Sequence, residues 1–470
     1  MQLTRILLSG IATVATQITL VTATAETNTT STPPINITGN AFLNSATGER
    51  FYIRGIDYQP GGSSNLTDPL ADSTICGRDI PLFQDLGINA VRVYTIDNSL
   101  DHSVCMKMLQ DAGIYLILDV NTPKSSISRI APACSYNADY LQNIFATIDS
   151  FAEYNNTLGF FAGNEVINSE NTTAAATYVK AVVRDMKKYI KARNYRTIPV
   201  GYSAADISSN RLQAAEYFNC GDDEDARIDM FGVNDYSWCG RSSYQVSGYA
   251  EKVKIYTGYS LPIFLSEFGC NKVVSSRPFT EIQAIYSTRM SSVFSGGLVY
   301  EYSNETNNYG LVQIESDTSI RRLPDFYNLK AQYSSVSDPV GDGGYSTSNK
   351  YSTCPAYEKG IWEANNTLPE MPSAASAYFT NGAGTAYGTN LATQNDCYKD
   401  EEEDYSSSSS ESSESSTSSS TSSSNSNAIS SKSSDSSSST SHSSKSKGIA
   451  GSVQAPLFAQ IFAQIWILIL

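Results

Sequence analysis

Short apolar or β-branched runs recur along the chain, each followed by a stretch with apolar residues at three- and four-residue spacing. Eight runs read as strands: 51–58 (FYIRGIDY), 89–96 (NAVRVYTI), 115–121 (YLILDVN), 157–166 (TLGFFAGNEV), 198–206 (IPVGYSAAD), 228–237 (IDMFGVNDYS), 262–270 (PIFLSEFGC) and 296–305 (GGLVYEYSNE). Between them DIPLFQDLG, HSVCMKMLQDAG, DYLQNIFATIDSFAEY and ATYVKAVVRDMKKYIKAR carry helical spacing, as in the series Ile144, Ile148, Phe151. Strands alternating with helices predict a parallel sheet, and eight such units over about 260 residues predict an α/β fold of the (β/α)8 TIM-barrel type. An open doubly wound sheet is the rival, but it wants a glycine-rich phosphate loop after its first strand, and none follows FYIRGIDY.

The periodicity ends near residue 340, which places the barrel at 26–340. Residues 341–398 are rich in Gly, Ser and Tyr; with two cysteines they are too poorly cross-linked to fold alone, and they are expected to pack on the barrel through Cys354. From 399 to 447 an acidic run and a serine tract hold no periodic apolar residues, so they cannot bury a core and are expected to form an extended, O-glycosylated stalk. Arg5, ILLSGIATVATQITLV and Ala23-Thr24-Ala25 give residues 1–25 the order of a signal peptide; the Ser, Thr and Gln within the apolar run argue against a membrane anchor. Residues 448–470 close on APLFAQIFAQIWILIL after small residues and a spacer, the order of a glycosylphosphatidylinositol (GPI) signal. Gly448 is the first candidate for attachment, with Ser446 and Ala450 beside it. As a tail-anchored helix the 16 apolar-rich residues are short of the roughly 20 that span a bilayer, and no basic residue follows them.

Composition narrows the function. A formal charge of −15 disfavours nucleic acid, anionic lipid and polyanions as partners, while a neutral substrate meets no such barrier. Eight cysteines with no C-x-x-C pair point to disulfides rather than metal fingers, with the pairing left open by the spacing. Sequons at Asn28, Asn36, Asn65, Asn155, Asn171, Asn304 and Asn365 agree with secretion. The two histidines are His102, at a predicted helix start, and His442, in the serine tract, so a Ser-His-Asp triad, a Cys-His pair and a histidine zinc site are all poorly supported. Carboxylate chemistry remains, with no metal or cofactor expected.

Active sites of such barrels lie at the C-terminal ends of the strands. The polar residues there are Asp57 and Gln59, Tyr94, Asp119 and Asn121, Asn164 and Glu165, Asp206, Asn234 and Tyr236, Glu267, and Tyr300 with Glu301 and Tyr302. Any one alone reads more readily as a turn or capping residue. Glu165 and Glu267 differ because each follows a run that should be buried, LGFFAGN and LPIFLS, on strands four and seven, which face one another across the mouth. A retaining glycosidase needs two carboxyls roughly 5 Å apart, one as nucleophile and one as acid and then base. Rings near the strand ends, Tyr58, Tyr94, Tyr236, Trp238, Tyr300 and Tyr302, offer faces and hydroxyls to a sugar, or pack as ordinary half-buried rings.

Taken in order, GIDYQPGGSS, VRVYTIDNS, LDVNTP, FAGNEV, VGYSAAD, VNDYSWCG, FLSEFGC and LVYEYSNETNNYG resemble the fungal GPI-anchored β-1,3-glucanosyltransferases, glycoside hydrolase family 72, over about residues 34–398. The resemblance implies a cell-wall enzyme that cuts inside a β-1,3-glucan chain with retention and passes the new reducing end to the non-reducing end of another chain. It implies Glu165 as acid/base, Glu267 as nucleophile, and Asn164 on the sugar hydroxyl beside the broken bond. Tyr94, Asp206, Arg211 and Tyr300 would contact the glucan, and 121–129 would bound the cleft; Gln59, Asp119 and Tyr236 at the strand ends are expected substrate contacts as well. The family's disulfides would join Cys76 to Cys105, Cys220 to Cys354 and Cys239 to Cys270, leaving Cys134 and Cys397 unassigned. Without the cysteines of the additional carbohydrate-binding module, the chain resembles the shorter branch. The expectation is a monomer held by GPI lipid on the outer face of the plasma membrane and in the wall. An endo-β-1,3-glucanase on the same scaffold and a non-catalytic wall mannoprotein are the alternatives.

Overall fold

Alternate residues of a strand face opposite ways, and in the eight predicted runs that alternation separates two apolar sets. Ile53, Ala90, Tyr115, Ile117, Leu158, Phe161, Met230, Phe264 and Leu298 share one buried cluster, while Ile56, Val91, Val93, Leu116, Leu118 and Phe160 belong to another that includes the helices. The first set fills a closed barrel and the second glues helices to its outside. The computed structural model describes residues 32–63, 65–272, 275–389 and Cys397. The expected signal peptide, Asn28, the 399–447 stalk, His442 and the 448–470 tail with Gly448 lie outside the described residues.

The barrel strands are β4 (Ile53–Asp57), β5 (Ala90–Val93), β6 (Tyr115–Asp119), β7 (Thr157–Asn164), β8 (Val200–Ala205), β9 (Met230–Cys239), β10 (Ile263–Cys270) and β11 (Phe294–Val299). All eight pair in parallel, and β11 closes on β4 with Gly296 opposite Ile53. Closure there requires glycine: φ of Gly296 is +92°, and a Cβ would sit 2.1 Å from the Ile53 carbonyl oxygen. Before the barrel, β1 (Ile35–Thr38), β2 (Ala41–Asn44) and β3 (Arg50–Phe51) make a small antiparallel sheet whose Ile35 and Phe42 join the interior cluster. After it, β12 (Val312–Ser316) and β13 (Ser319–Arg322) form a hairpin.

The outer helices are α1 (Ser73–Leu86), α2 (Ser103–Asp111), α3 (Pro132–Ser135), α4 (Ala138–Phe151), α5 (Ala176–Ala192), α6 (Arg211–Phe218), α7 (Tyr249–Tyr256), α8 (Ile282–Ile285) and α9 (Pro324–Ser335). Their ends follow the sequence: Asp72 caps α1 through the Thr74 amide and Gly87 ends it at φ +75°, while Asn137 caps α4 through the Tyr140 amide. Among the described residues no helix is long and apolar enough to cross a membrane.

The C-terminal flank packs on the barrel. Cys354 is bonded to Cys220, Trp362 is fully buried with its ring 5.4 Å from Tyr217, and Gln142 of α4 donates to the carbonyls of Ala383 and Thr385, each at 2.7 Å. A last helix, α10 (Ser376–Asn381), lays Tyr378 and Phe379 against Phe145 of α4. The disulfides Cys76–Cys105, Cys220–Cys354 and Cys239–Cys270 are formed, and Cys134 joins Cys397. Of the sequons, Asn36, Asn65, Asn155, Asn171 and Asn365 are exposed, whereas Asn304 is half-buried with its amide nitrogen on Gln313.

Candidate active site

Towards the C-terminal ends of the strands the barrel interior turns from apolar to polar. Asp57, Arg92, Asp119, Ser203, Asn234 and Ser266 are all buried, and with Glu267 they build the base of the mouth. Arg92 organises one side. Its Nε and Nη2 donate to the two oxygens of Asp119, both at 2.9 Å, while Nη1 reaches the Ser266 carbonyl at 3.2 Å and Glu267 Oε1 at 3.3 Å. Its guanidinium lies over the Tyr94 ring at 4.3 Å and the Phe161 ring at 4.8 Å, a flat slot that a planar cation fills and an ammonium would not.

Glu267 therefore accepts from three donors: Arg92, the Tyr94 hydroxyl at 2.9 Å on Oε1, and the Tyr236 hydroxyl at 2.7 Å on Oε2. Burial pushes this carboxyl up, Arg92 opposes the shift, the nearby Glu165 adds to it, and the two hydroxyls favour the anion. Burial also holds Tyr94 and Tyr236 well above the usual tyrosine range, so both keep their protons and act as donors.

Glu165 follows the end of β7 in the left-handed region, φ +49°, a conformation that costs a non-glycine residue about 1 kcal/mol. Its backbone is held from both sides: its amide donates to the Ser203 carbonyl at 2.8 Å, and Arg129 donates to the carbonyls of Glu165 and Val166. Its carboxyl is half-buried and accepts from Asn234 Nδ2 at 2.9 Å, an amide that also reaches Asn164 Oδ1 at 3.1 Å. Ser203 and Ser266 hydroxyls donate to Asn234 Oδ1 at 3.0 and 2.8 Å, which fixes the amide with its nitrogen towards Glu165. Asn234 thus ties the Glu165 side of the mouth to β10, where it is the register partner of Glu267.

The other expected site residues fall into two groups. Tyr94, Asn164, Tyr236 and Tyr300 stand half-buried at the mouth, with the Tyr300 ring 6.2 Å from Tyr236. Asp206 and Arg211 are also half-buried and pair with each other at 2.9 Å; Lys252 bridges Asp206 at 2.8 Å to Asp235. Gln59 and Asp119 are spoken for within the protein: Gln59 accepts from the amides of Tyr94 and Thr95 and donates to the Thr67 carbonyl, and Asp119 holds Arg92. Three of the rings near the strand ends lie elsewhere. Tyr58 and Tyr302 are buried with their hydroxyls on Asp79 of α1, and Trp238 donates to Thr280. His102 is buried against Asp68 at 2.7 Å, in a structural role before α2.

Sequence reasoning missed Arg92, and it reached Arg129 only as the end of the 121–129 segment expected to bound the cleft, not as a support of Glu165. Arg92 carried a readable signal, a cation at an inward position of the apolar run NAVRVYTI; Arg129 acts on backbone carbonyls from a loop, which no pattern announces.

Tyr236→Phe removes the shorter hydroxyl donor to Glu267. A hydrogen bond to a charged group contributes about 1.5–3 kcal/mol, so kcat/KM is expected to fall roughly tenfold or more. Losing a donor destabilises the anion, so Glu267 would hold its proton to higher pH, and the acid limb of the kcat/KM profile would move up. An acid limb that stays put would show that Tyr236 does not act on Glu267.

Comparison with known proteins gives one consistent answer. The profile described as glucanosyltransferase, glycoside hydrolase family 72, matches residues 24–337. The 1,3-beta-glucanosyltransferase GAS5 of Saccharomyces cerevisiae is 76% identical over 373 residues, 79% of this chain and 77% of that protein. PGA4 of Candida albicans, also a 1,3-beta-glucanosyltransferase, is 57% identical over 364 residues, 77% of this chain and 80% of its own. Among solved structures, Saccharomyces cerevisiae Gas2p in complex with laminaritriose and laminaritetraose is similar with a TM-score of 0.69 and 45% identity, covering 74% of this chain and 79% of that one.

Proposed function

The chain belongs to the glucanosyltransferase family, glycoside hydrolase family 72, and from that premise we propose that it transfers β-1,3-glucan with Glu267 as nucleophile and Glu165 as acid/base. The observation that carries the assignment of roles is the asymmetry of donors. Glu267 accepts from Arg92, Tyr94 and Tyr236, donors that favour its anion against the upward push of burial, whereas the Glu165 carboxyl accepts from Asn234 and is half-open to the mouth, as a group that gives and takes a proton must be.

In the first step Glu165 protonates the glycosidic oxygen while Glu267 attacks the anomeric carbon; the carbon–oxygen bond breaks, one chain leaves with a new hydroxyl, and the other is held as an ester of Glu267. In the second step the hydroxyl at the non-reducing end of another chain attacks that carbon, gives its proton to Glu165, and frees Glu267 as the carboxylate. The anomeric configuration is retained and the acceptor grows longer. Tyr94, Asn164, Tyr236, Asp206, Arg211 and Tyr300 are the glucan contacts in this reading, with Gln59 and Asp119 holding Tyr94 and Arg92 in place. The protein works as a monomer, secreted, glycosylated at its exposed sequons, and carried by GPI lipid through Gly448 at the membrane and wall.

The test is product analysis after incubation with one laminari-oligosaccharide of defined length. Products longer than the substrate are expected. Shorter products alone would make the protein an endo-β-1,3-glucanase, and an unchanged substrate would leave a wall mannoprotein.

A further inference from the structure

A buried arginine beyond the end of β10 holds the side of the mouth that carries Tyr300. Arg277 is 2% exposed and lies between β10 and α8. Its Nε donates to Asp325 Oδ2 at 2.6 Å and its amide to Asp325 Oδ1 at 3.0 Å, in the first turn of α9. The other guanidinium donors go to backbone: Nη1 to the carbonyls of Gly269 at 3.0 Å and Tyr300 at 2.5 Å, and Nη2 to the carbonyl of Tyr309. The same group lies over the rings of Phe279 at 4.7 Å and Tyr309 at 5.4 Å. Room for it depends on Gly269, φ +111°, where a Cβ would come within 3.2 Å of Nη1. One planar cation thus ties the chain just past Glu267 to both ends of the turn from Tyr300 to Tyr309.

That turn presents rings to the mouth. Tyr300 donates its amide to the Phe268 carbonyl at 2.9 Å, the Tyr309 carbonyl also accepts from the Glu301 amide at 3.2 Å, and Asn307 Nδ2 reaches the Tyr300 hydroxyl at 3.4 Å. The Tyr300 ring then meets Tyr236 at 6.2 Å and Tyr309 at 5.3 Å, and Tyr309 meets Tyr236 at 5.6 Å, every pair edge to face. Tyr236 and Tyr300 are glucan contacts in the reading above, and Tyr236 also donates to Glu267. An arginine that served only to dock α9 would need Asp325 and nothing more, whereas Arg277 spends its remaining donors on carbonyls of the mouth.

We propose that Arg277 is a positioning residue for glucan binding: by pinning the carbonyls of Tyr300 and Tyr309 to the end of β10, it sets the Tyr300 ring against Tyr236 and Tyr309 where the glucan meets it. The proposal rests on the reading of Tyr300 as a glucan contact. Without the guanidinium, both carbonyls lose a charged donor, and the turn shifts to replace it.

The experiment measures binding apart from chemistry. The dissociation constant of laminaripentaose is taken by calorimetry on the full chain carrying Glu165→Gln, so that the sugar is not consumed, at a temperature well below the unfolding midpoint of every variant. In that parent, Arg277→Met should weaken binding roughly tenfold, within the range over which neighbouring residues couple. Tyr300→Ala should weaken it at least as much. The two together should bind within about twofold of Tyr300→Ala alone, because the ring that Arg277 positions is gone. Lost stability cannot produce that pattern, since the folded protein binds with the same constant whatever its unfolding midpoint. Binding by Arg277→Met within about twofold of the parent overturns the proposal, as do losses that simply add in the double variant. Tyr300→Ala binding as tightly as the parent would instead refute Tyr300 as a glucan contact, the reading beneath the proposal. Should Arg277→Met not fold, Arg277→Lys carries the test: an ammonium on Asp325 cannot also span the three carbonyls, so weaker binding is expected and parent-like binding overturns the proposal.

Discussion

Replacing Glu267 by glutamine is expected to lower glucan transfer by at least ~10³-fold, the scale on which positioned proton-transfer and nucleophilic groups act, while leaving the thermal unfolding temperature close to that of the wild type. The amide has the shape of the carboxylate, and its oxygen can still accept from Tyr94, Tyr236 or Arg92, so the mouth keeps its packing. What is lost is the electron pair that attacks the anomeric carbon. Glu165→Gln should damage transfer on a similar scale for a different reason, since no proton reaches the leaving oxygen. The two are separated by adding azide to the alanine variants with an activated β-glycosyl donor. Glu165→Ala still forms the ester and should release a β-configured glycosyl azide, the second half of a double displacement. Glu267→Ala cannot form the ester, and any azide product from the same β-donor would come by a single displacement as the α-configured glycosyl azide. If Glu267→Gln kept more than a few per cent of its transfer activity, or if the azide products came with the opposite configurations, the assignment of the two glutamates would fall.

The barrel was readable because its strands are buried on both faces and bounded by polar ends. Runs such as YLILDVN and PIFLSEFGC have no other economical reading; all eight predicted strands are observed, seven of them within three residues of their expected limits, while the last, Phe294–Val299, stops six residues short of 305. The small N-terminal sheet and the β12–β13 hairpin were not legible. Their strands are two to five residues long, too short for periodicity to show. In the site the two glutamates stood out as charges closing apolar runs, but the inventory of rings overreached. Parity along β4 explains why: Asp57 and Gln59 share the inward side, so Tyr58 between them points out to Asp79. The same parity applied to NAVRVYTI would have put Arg92 inside the barrel. The Cys134–Cys397 pair closes 263 residues of chain and depends on where the flank lies, which no local pattern contains.

The second large effect is expected at Arg92. Replacing it with methionine keeps most of the volume between the Tyr94 and Phe161 rings but leaves Asp119 buried, 2% exposed, with both oxygens deprived of their donors. Removing one partner of a buried ion pair typically costs about 3–5 kcal/mol, because the remaining charge is neither solvated nor paired. Lysine should recover only part of this, since one ammonium cannot make two parallel bonds to Asp119 and also reach Glu267. Activity should fall further than stability explains. Without the guanidinium, Glu267 keeps two hydroxyl donors and no cation, so it holds its proton to higher pH, and the acid limb of kcat/KM moves upward. The double variant Arg92→Met, Asp119→Asn separates the two effects. It removes the stranded charge and should regain much of the stability in a chemical unfolding titration, yet the displaced acid limb should remain, because Glu267 has still lost its cation. An unfolding midpoint for Arg92→Met within about 1 kcal/mol of the wild type would mean that Asp119 is satisfied by other means or is already neutral, and the charge balance argued for the base of the mouth would have to be redrawn around that neutral acid.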